Sequence, residues 1–296
     1  MNRELEASVC GAGLDAHEVA RLVDRALDED LRYGPDVTTE ATIRADQQAT
    51  ADVVAREKGV VCGVDVALVV LEAVGFPLAD VAVNLRDGDT AAPGRMVLAA
   101  SGPLRPLLVA ERTMLNFMTH LSGVATATSA WVRAVEGTGC RVRDTRKTLP
   151  GLRQLEKYAV RCGGGVNHRM GLGDAALIKD NHVAATGSIT RAIEDVRHLR
   201  PGIPLEVECD RLDQVSEALD AGCTLILLDN MAVDDIAKAV ELASSSSALL
   251  EASGGITLDN VRAIAETGVD FVAIGALTHS VRALDLGLDL RESAQT

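Results

Sequence analysis

Apolar residues in the first half of the chain follow the spacing of helices and short strands in turn. An amphipathic helical pattern covers 14–30, and a longer one covers 103–135. A shorter helical pattern lies between them at 65–74. Strand-like patterns occupy 49–56, 59–64, 81–86 and 95–100. We therefore predict a compact α+β unit that ends in a long helix.

After Gly139 the pattern changes to short apolar runs that alternate with amphipathic intervals. We interpret the runs as strands at 140–143, 175–178, 204–208, 224–228, 248–251 and 270–274. We interpret the intervals as helices at 187–200, 210–221, 233–243 and 258–267. The later strands recur every twenty to twenty-three residues, the length of a βα unit. This repeat predicts a right-handed parallel sheet, either doubly wound or closed as a barrel.

Each predicted strand has an aliphatic interior and is followed by residues that can take part in chemistry. These residues are Asp144–Lys147, Lys179–His182, Glu208, Asp229–Asn230, Ser253–Gly255 and Gly275–Ala276. Functional groups contributed by the C-terminal ends of many strands favour a barrel over an open sheet. The last two loops offer free backbone N–H groups ahead of helices, where barrels commonly hold a sugar phosphate.

The composition agrees with buried parallel strands and opposes several classes of function. Hydrophobic residues make up 47% of the chain, but only three Phe, two Tyr and one Trp are present, as suits an aliphatic sheet covered on both faces. Few aromatic residues and a net charge of −14 oppose nucleic-acid binding. Six cysteines without a CxxC pair predict reduced thiols rather than disulfides or structural zinc. The absence of a long apolar run predicts neither a membrane span nor export, and hence a cytoplasmic protein.

Positive charge is concentrated between Cys140 and His182. This stretch holds nine Arg and Lys against four Asp and Glu, a net +5 in a chain of net −14. Three of these cations, Arg153, Lys157 and Arg161, are spaced as one helix face, and we prefer to interpret them as a face satisfied by neighbouring acids. Arg146, Lys147, Arg169 and Lys179 lie at segment ends beside Gly, Pro, Asn and His. We expect these four to face a small, multiply charged anion.

Motifs that would mark other kinds of functional site are either absent or in the wrong structural context. Gly11–Ala16 and Gly171–Ala176 match a dinucleotide fingerprint, but neither follows a strand as that site requires. We therefore reject both. No GxxxxGK[ST], HExxH or GxSxG motif occurs, so the sequence does not support a P-loop nucleotide site, a zincin metalloprotease or a serine hydrolase. Arg112 lies among apolar residues of the long helix, and the pattern leaves open whether it snorkels at a surface or meets a ligand.

A series of ordered motifs carries a resemblance to a known family. They read DEDLRYGPDVTT, ERTMLNFMTHLSGVATAT, RDTRKTLPGLRQLEKYAV, GGGVNHRMGLGDAALIKDNH, EVE, LLDN, EASGGI and VDFVAIGALTHS. Over roughly residues 14–290 the chain resembles quinolinate phosphoribosyltransferase, the carboxylating nicotinate-nucleotide pyrophosphorylase. The resemblance implies an N-terminal α/β sandwich domain, 1–115, and a C-terminal α/β barrel of fewer than eight strands, 116–282. One option for the tail, about 283–296, is to pack on the sandwich domain.

The resemblance also implies an activity and partners. The family transfers phosphoribosyl from phosphoribosyl pyrophosphate to quinolinate with decarboxylation, giving nicotinate mononucleotide, pyrophosphate and CO₂ in de novo NAD biosynthesis. It implies Mg²⁺ with phosphoribosyl pyrophosphate, no organic cofactor, and a homodimer or larger assembly in which Arg112 reaches the partner's site. Two alternatives stay open. One is a phosphoribosyltransferase for a monocarboxylate base, and the other is a barrel aldolase with Lys179 as a Schiff-base lysine.

Matched to the motifs, the resemblance assigns a role to each site residue. The two carboxylates of quinolinate call for Arg112, Arg146, His168, Arg169 and Lys179. Phosphoribosyl pyrophosphate would meet Lys147, Glu208, Asp229, Ser253, Gly254, Gly275 and His279. Lys179, Glu208 and Asp229 are the expected catalytic residues, and Glu208 and Asp229 can bind ribose hydroxyls or Mg²⁺. His182 either serves the site or only orients its turn.

Overall fold

The computed structural model describes residues 1–291, whose contacts divide into two compact units. The first unit contains Met1–Ser129, Leu149–Gly164 and the residues from Ser280 onward. The second contains Ala130–Thr148 and Gly165–His279. The predicted division into 1–115 and 116–282 stays a prediction, and residues 292–296 of the predicted tail lie outside the described residues. Within the described part, no helix has the length and apolarity needed to cross a membrane.

The first unit combines helices with a four-stranded antiparallel sheet. Its helices, numbered along the whole chain, are α1 (Arg3–Gly11), α2 (Ala16–Leu31), α3 (Val37–Thr42), α4 (Val64–Ala73), α5 (Leu104–Ala134) and α6 (Arg153–Cys162). Its strands are β1 (Gln48–Ala55), β2 (Gly59–Val60), β3 (Val81–Val83), β4 (Thr90–Ala91), β5 (Met96–Pro103) and β12 (Leu286–Leu290). The sheet order is β12-β1-β5-β3, while β2 and β4 form a separate pair. Helix α5 continues beyond Ser129 into residues of the second unit.

Helix α2 illustrates how a capping residue and an apolar stripe define a helix of this unit. Asp15 caps its start, because the carboxylate accepts the N–H groups of His17 and Glu18 at 2.9 and 3.1 Å. The apolar stripe that includes Val19 and Val23 is fully buried and packs with α4. The segment ahead of α2 is the helix α1, so the dinucleotide fingerprint at 11–16 lacks its strand, as the sequence indicated.

The second unit is a six-stranded parallel sheet with helices between its strands. The strands are β6 (Arg141–Arg143), β7 (Ala176–Ile178), β8 (Leu205–Cys209), β9 (Leu225–Asp229), β10 (Leu249–Ser253) and β11 (Phe271–Ala273). The helices are α7 (Asp180–Thr186), α8 (Ile189–Leu199), α9 (Leu212–Asp220), α10 (Val233–Ala243), α11 (Val261–Ala265) and α12 (Ala276–His279). The strand order is β6-β11-β10-β9-β8-β7, and every pair is parallel. With six strands and β6 and β7 at its edges, this is the expected incomplete α/β barrel.

The six predicted strands of this unit are confirmed to within about two residues, but one expectation about them is wrong. Their interiors are not uniformly aliphatic, because Arg143, Glu206 and Glu251 lie within β6, β8 and β10. Glu206 and Glu251 are buried at 3% and 0% exposure. The sheet tolerates these charges because Arg143 forms ion pairs with Glu251 and Glu206, which lie on strands that are not adjacent to β6. Elsewhere the strands carry aliphatic residues such as Val207 and Ile226, which are fully buried.

Candidate active site

A cavity of about 620 Å³ lies where the strands of the second unit end. It brings together nine of the predicted site residues: Arg146, Lys147, His168, Arg169, Lys179, Glu208, Asp229, Ser253 and Gly254. It also contains seven residues that were not assigned a role: Thr145, Leu177, Leu227, Asn230, Glu251, Gly255 and Ala273. Because parallel strands all point their C-terminal ends to one edge, side chains far apart in sequence converge here.

Two arginines give the cavity an excess of positive charge. Arg146 Nε is buried and has no hydrogen-bond partner among the described residues. Burial and the neighbouring charge of Arg146 lower the pKa of Arg169 from its usual value. Two guanidinium groups that repel each other, one with an unused donor, are stabilised by a bound anion with several oxygen atoms.

The loop that carries Arg169 is held by carboxylates at both of its ends. Asp144, buried just after β6, accepts the backbone N–H of His168 at 2.8 Å. Asp174 accepts the N–H groups of Met170 and Gly171 at 2.6 and 2.9 Å. These bonds fix the backbone on either side of Arg169, so its guanidinium is positioned before any ligand arrives.

Lys179 follows β7 and forms an ion pair with Glu208 at the end of β8. This contact holds the Lys179 side chain at the cavity. His182 accepts the backbone N–H of Lys179 through Nδ1 at 2.9 Å, and so caps the start of α7. His182 does not line the cavity, and this contact fits the role of orienting its turn.

Asn230 and Gly254 hold the ends of β9 and β10 close together. Asn230 has a positive φ of 55° and donates its backbone N–H to Ser253 O at 2.9 Å. A Cβ at Gly254 would stand 2.2 Å from Asn230 Oδ1, and its φ of +87° also favours glycine. The Asn230 side chain donates to Asp229 at 2.8 Å. Asp229 and the Ser253–Gly255 loop are thereby held on the same side of the cavity.

Gly275 and His279 lie beside Lys147 rather than on the cavity wall. A Cβ at Gly275 would come within 3.0 Å of Lys147 Cδ and 3.4 Å of His279 Nε2, so glycine leaves room for both side chains. Thr278, buried in α12, donates its hydroxyl to Lys147 O at 2.8 Å. Helix α12 therefore fixes the backbone of Lys147, whose own side chain is exposed.

The sheet interior next to the cavity contains a charged cluster of Arg143, His168, Glu206 and Glu251, of which the sequence predicted only His168 as a site residue. Two of its members, His168 and Glu251, also line the cavity. Arg143 Nη1 donates to Glu251 at 2.5 Å, and its guanidinium lies 4.8 Å from the Phe271 ring centroid. His168 Nε2 lies 2.7 Å from Glu206. Glu206 and Glu251 each leave one buried oxygen without a hydrogen-bond partner among the described residues. Burial, and then the charge of Glu206, raise the pKa of Glu251 to about 7.

The hydrogen bonds of His168 fix its tautomer. Its Nδ1 accepts the backbone N–H of Arg169 at 2.7 Å, so the ring proton sits on Nε2 and is donated to Glu206. The raised pKa of Glu251 favours its protonated form, which reduces the negative charge beside Glu206. The signal for this cluster was present in the sequence, since CRVR, LEVE and LLEA place charges inside strands that should be buried on both faces.

Four other cations from the sequence analysis lie in the first unit. Arg112 is exposed on α5, within a run that includes the buried Met114 and Met118. Arg153, Lys157 and Arg161 lie on α6, where Lys157 is fully buried. None of the four lines the cavity of the second unit.

Mg²⁺ can be tested against the cavity by the chemistry of its donors. Magnesium prefers hard oxygen ligands and is usually held by one or two carboxylates together with substrate phosphates. Glu208 and Asp229 end neighbouring strands and both line the cavity. The two carboxylates fit such a site, with the substrate providing the remaining oxygens.

Comparison with known proteins gives the same result by sequence and by structure. Residues 36–122 match the model of the quinolinate phosphoribosyl transferase N-terminal domain, and residues 124–289 match that of its C-terminal domain. The chain is 55% identical over 271 residues to nicotinate-nucleotide pyrophosphorylase [carboxylating] of Mycobacterium leprae, covering 90% of this chain and 95% of that one. It is 39% identical to the probable enzyme of the same name from Bacillus subtilis, covering 94% and 96%. The structure of nicotinate-nucleotide pyrophosphorylase from Francisella tularensis superposes with a TM-score of 0.88 at 38% identity, covering 94% and 98%.

Proposed function

The chain belongs to the quinolinate phosphoribosyltransferase family, and we propose that it transfers phosphoribosyl from phosphoribosyl pyrophosphate to quinolinate with decarboxylation. The products are nicotinate mononucleotide, pyrophosphate and CO₂, a step of NAD biosynthesis. The observation that carries the proposal is the pair Arg146 and Arg169, with a buried unpartnered Nε and a lowered Arg169 pKa. Such a pair suits a ligand with two adjacent carboxylates.

Quinolinate binds in this proposal through its carboxylates. Arg146, Arg169 and Lys179 supply three positive charges for two carboxylates. His168 lines the same cavity and holds the Arg169 backbone through Nδ1. On substrate binding, the Lys179 ammonium exchanges part of its contact with Glu208 for a substrate carboxylate. That exchange leaves the Glu208 carboxylate available to the ribose.

Phosphoribosyl pyrophosphate occupies the other side of the cavity. The backbone N–H groups of the Ser253–Gly255 loop suit a 5′-phosphate, because glycine lets the backbone approach the anion closely. Lys147, with Gly275 and His279 beside it, meets the remaining phosphate oxygens. The cations thus divide between the carboxylates of one substrate and the phosphates of the other.

The carboxylates Glu208 and Asp229 act on the sugar. When the ring nitrogen displaces pyrophosphate at C1′, positive charge develops on the ribose, and a nearby carboxylate stabilises that charge. Either carboxylate can also accept hydrogen bonds from ribose hydroxyls. Bound Mg²⁺, held by these two residues and the pyrophosphate, would neutralise charge on the leaving group. Once the ring nitrogen is alkylated it is cationic, so C2 can lose CO₂ and the adjacent N⁺ stabilises the carbanion.

A comparison of three aromatic acids tests the proposed substrate. Nicotinate fills the same volume but leaves at least one cavity cation unpaired, which costs on the order of 2–5 kcal/mol. We expect its catalytic efficiency to be lower by roughly 30- to 3,000-fold or more. Phthalate, which has paired carboxylates but no ring nitrogen, should inhibit competitively without reacting. Release of labelled CO₂ from quinolinate should require both phosphoribosyl pyrophosphate and Mg²⁺. Equal efficiencies for quinolinate and nicotinate would instead support the monocarboxylate alternative.

The proposal also includes the assembly and location of the enzyme. It works as a homodimer or a larger assembly in the cytoplasm, and Arg112 completes the quinolinate site of the partner subunit. The exposure of Arg112 among buried apolar neighbours supports a role for its charge outside its own helix. The six free cysteines support a reducing compartment.

Subunit mixing tests the contribution of Arg112. Arg112→Ala and Lys179→Ala dimers should each be nearly inactive. After subunit exchange, each mixed dimer has one intact site, so up to about a quarter of wild-type activity returns by random assortment. Exchange without any recovery would place Arg112 outside the partner's site.

A further inference from the structure

Two cysteines that are far apart in sequence meet inside the first unit. Cys62 follows β2 and is fully buried, whereas Cys162 is the last residue of α6 and is partly exposed. Their Sγ atoms and a carboxylate oxygen of Asp87 lie within 4.8 Å of one another. None of these three residues lines the cavity at the strand ends, so the proposed reaction gives them no role.

Helix α5 holds both cysteines in place. The Cys62 N–H donates to Ser122 Oγ at 2.9 Å, and the Ser122 hydroxyl donates back to Cys62 O at 3.1 Å. A Cβ at Gly163, directly after Cys162, would stand only 2.4 Å from Ala125 O. Ser122 and Ala125 are three residues apart, so they lie on one face of α5. The same helix surface therefore brings the two sulfur atoms together.

Tyr158 and Asp87 complete the surroundings of the pair. Tyr158 lies one turn before Cys162 on α6 and donates its hydroxyl to Asp87 at 2.8 Å. Asp87 also accepts the N–H of Val64 at 2.9 Å. Both Asp87 and Tyr158 line a cavity of about 320 Å³ in the first unit. Cys162 is itself partly exposed, so a small molecule can reach its sulfur.

The two thiols differ in their readiness to ionise. Burial raises the pKa of the Cys62 thiol well above its usual range. The hydrogen bond with Cys62 lowers the pKa of Cys162, against the opposing effects of burial and the Asp87 charge. Because the thiolate is the nucleophile, Cys162 is the sulfur that reacts first with an electrophile, and Cys62 is placed to resolve the product.

We infer that Cys62 and Cys162 are a thiol pair that small hydroperoxides convert to a reversible disulfide. The Cys162 thiolate attacks one peroxide oxygen, the O–O bond breaks, and the second oxygen leaves as hydroxide and takes up a proton. The Cys62 sulfur then attacks the Cys162 sulfenic acid, so that an S–S bond forms, the S–O bond breaks and water leaves. Two thiols thus lose two electrons, which reduce one hydrogen peroxide to two waters.

The disulfide would join the start of α4 to the end of α6, across a large part of the sequence. A crosslink that closes a loop of this length restricts the unfolded chain strongly and stabilises the folded state. The oxidised protein should therefore melt at a higher temperature than the reduced one. The inference is independent of the proposed reaction, because none of its residues contacts the cavity at the strand ends.

Thiol counting and peptide mapping test the pair. The experiment uses the full chain with Cys10→Ser, which removes the exposed cysteine and leaves five thiols. Treatment with hydrogen peroxide should lower the count to three and yield a peptide that links Cys62 to Cys162, and dithiothreitol should reverse both. In the same background Cys62→Ala should leave a sulfenic acid on Cys162 that dimedone traps. The matched control Cys223→Ser should still form the disulfide.

Three results would overturn the inference. One is that all five thiols persist at peroxide concentrations that modify an exposed cysteine such as Cys10 in the unsubstituted chain. Another is that Cys162 is oxidised to a sulfinic acid without a link in a chain that retains Cys62. A third is that the purified protein carries about one metal ion per chain that is lost in Cys62→Ala, since the pair would then be metal ligands.

Discussion

The second unit contains two charged regions that are close in sequence but differ in depth. Glu206 and Glu208 are two residues apart on β8 and point to the same side, as residues i and i+2 of a strand do. Glu206 is 3% exposed and lies in the inner cluster, whereas Glu208 lines the cavity. Arg143 and Arg146 at the end of β6 divide in a similar way, because only Arg146 lines the cavity. His168 and Glu251 belong to both regions, since they lie in the inner cluster and also line the cavity.

The inner cluster contains more acids than cations, whereas the cavity lining contains more cations than acids. Arg143, Glu206, Glu251 and His168 satisfy one another, apart from one oxygen on each glutamate. The cavity lining carries four cations, Arg146, Lys147, Arg169 and Lys179, against three acids, Glu208, Asp229 and Glu251. The paired charges of the inner cluster hold the sheet and the His168–Arg169 loop, and the excess of cations in the cavity suits a bound anion. The two regions should therefore respond to mutation in opposite ways.

The largest expected effect is on stability, from removing the cation of the inner cluster. Arg143→Leu leaves Glu206 and Glu251 buried beside one another without a positive charge, which should cost about 3–5 kcal/mol. Chemical denaturation measures the loss. Arg141→Leu is the matched control, because Arg141 is exposed on the same strand and lies 4.6 Å from the same Phe271 ring. Similar losses for both variants would show that the ring contact, not the charge, matters.

Removing a cavity cation should lower the activity and leave the stability nearly unchanged. In Arg146→Ala the catalytic efficiency with quinolinate should fall by roughly 30- to 3,000-fold, because a buried carboxylate loses its partner. The free energy of unfolding should stay within about 0.5 kcal/mol or rise, since Arg169 loses a repulsive neighbour. Arg191→Ala, an exposed cation on α8, should change neither quantity. A variant that unfolds easily but keeps its activity would place Arg146 with the inner cluster instead.

The smallest expected effect is a change in pH dependence. Glu251 has a pKa raised to about 7 in the folded protein, above its ordinary value of 4.5. Between these values the folded state holds a proton that the unfolded state has lost, so stability falls as pH rises through this range. We expect a decrease on the order of 1–3 kcal/mol.

Glu251→Gln keeps a neutral side chain at every pH and should remove this decrease. The exposed control Glu241→Gln should retain it. Unfolding midpoints measured between pH 4.5 and 8 compare the three proteins. A decrease that persists in Glu251→Gln would assign the titration to another group.

The sequence predicted the parallel strands and the chemistry at their ends because those features are local. An aliphatic run followed by DTRK, KDNH or LLDN marks a strand and its loop without knowledge of the neighbours. The inner cluster was missed because it is formed by residues from separate strands and is therefore not a local feature. Arg143, Glu206 and Glu251 look like exceptions in three separate strands, and only the strand order shows that they share one interior.

The sequence by itself determined the strand repeat, the excess of cations between Cys140 and His182, and the family motifs. Each depends on residues within one segment or on their order along the chain. The tertiary structure alone decided which cation has an unused hydrogen-bond donor, which glutamate has a raised pKa, and that Cys62 lies close to Cys162. Burial and proximity create these properties, because they change the free energy of a charge only after distant segments have packed.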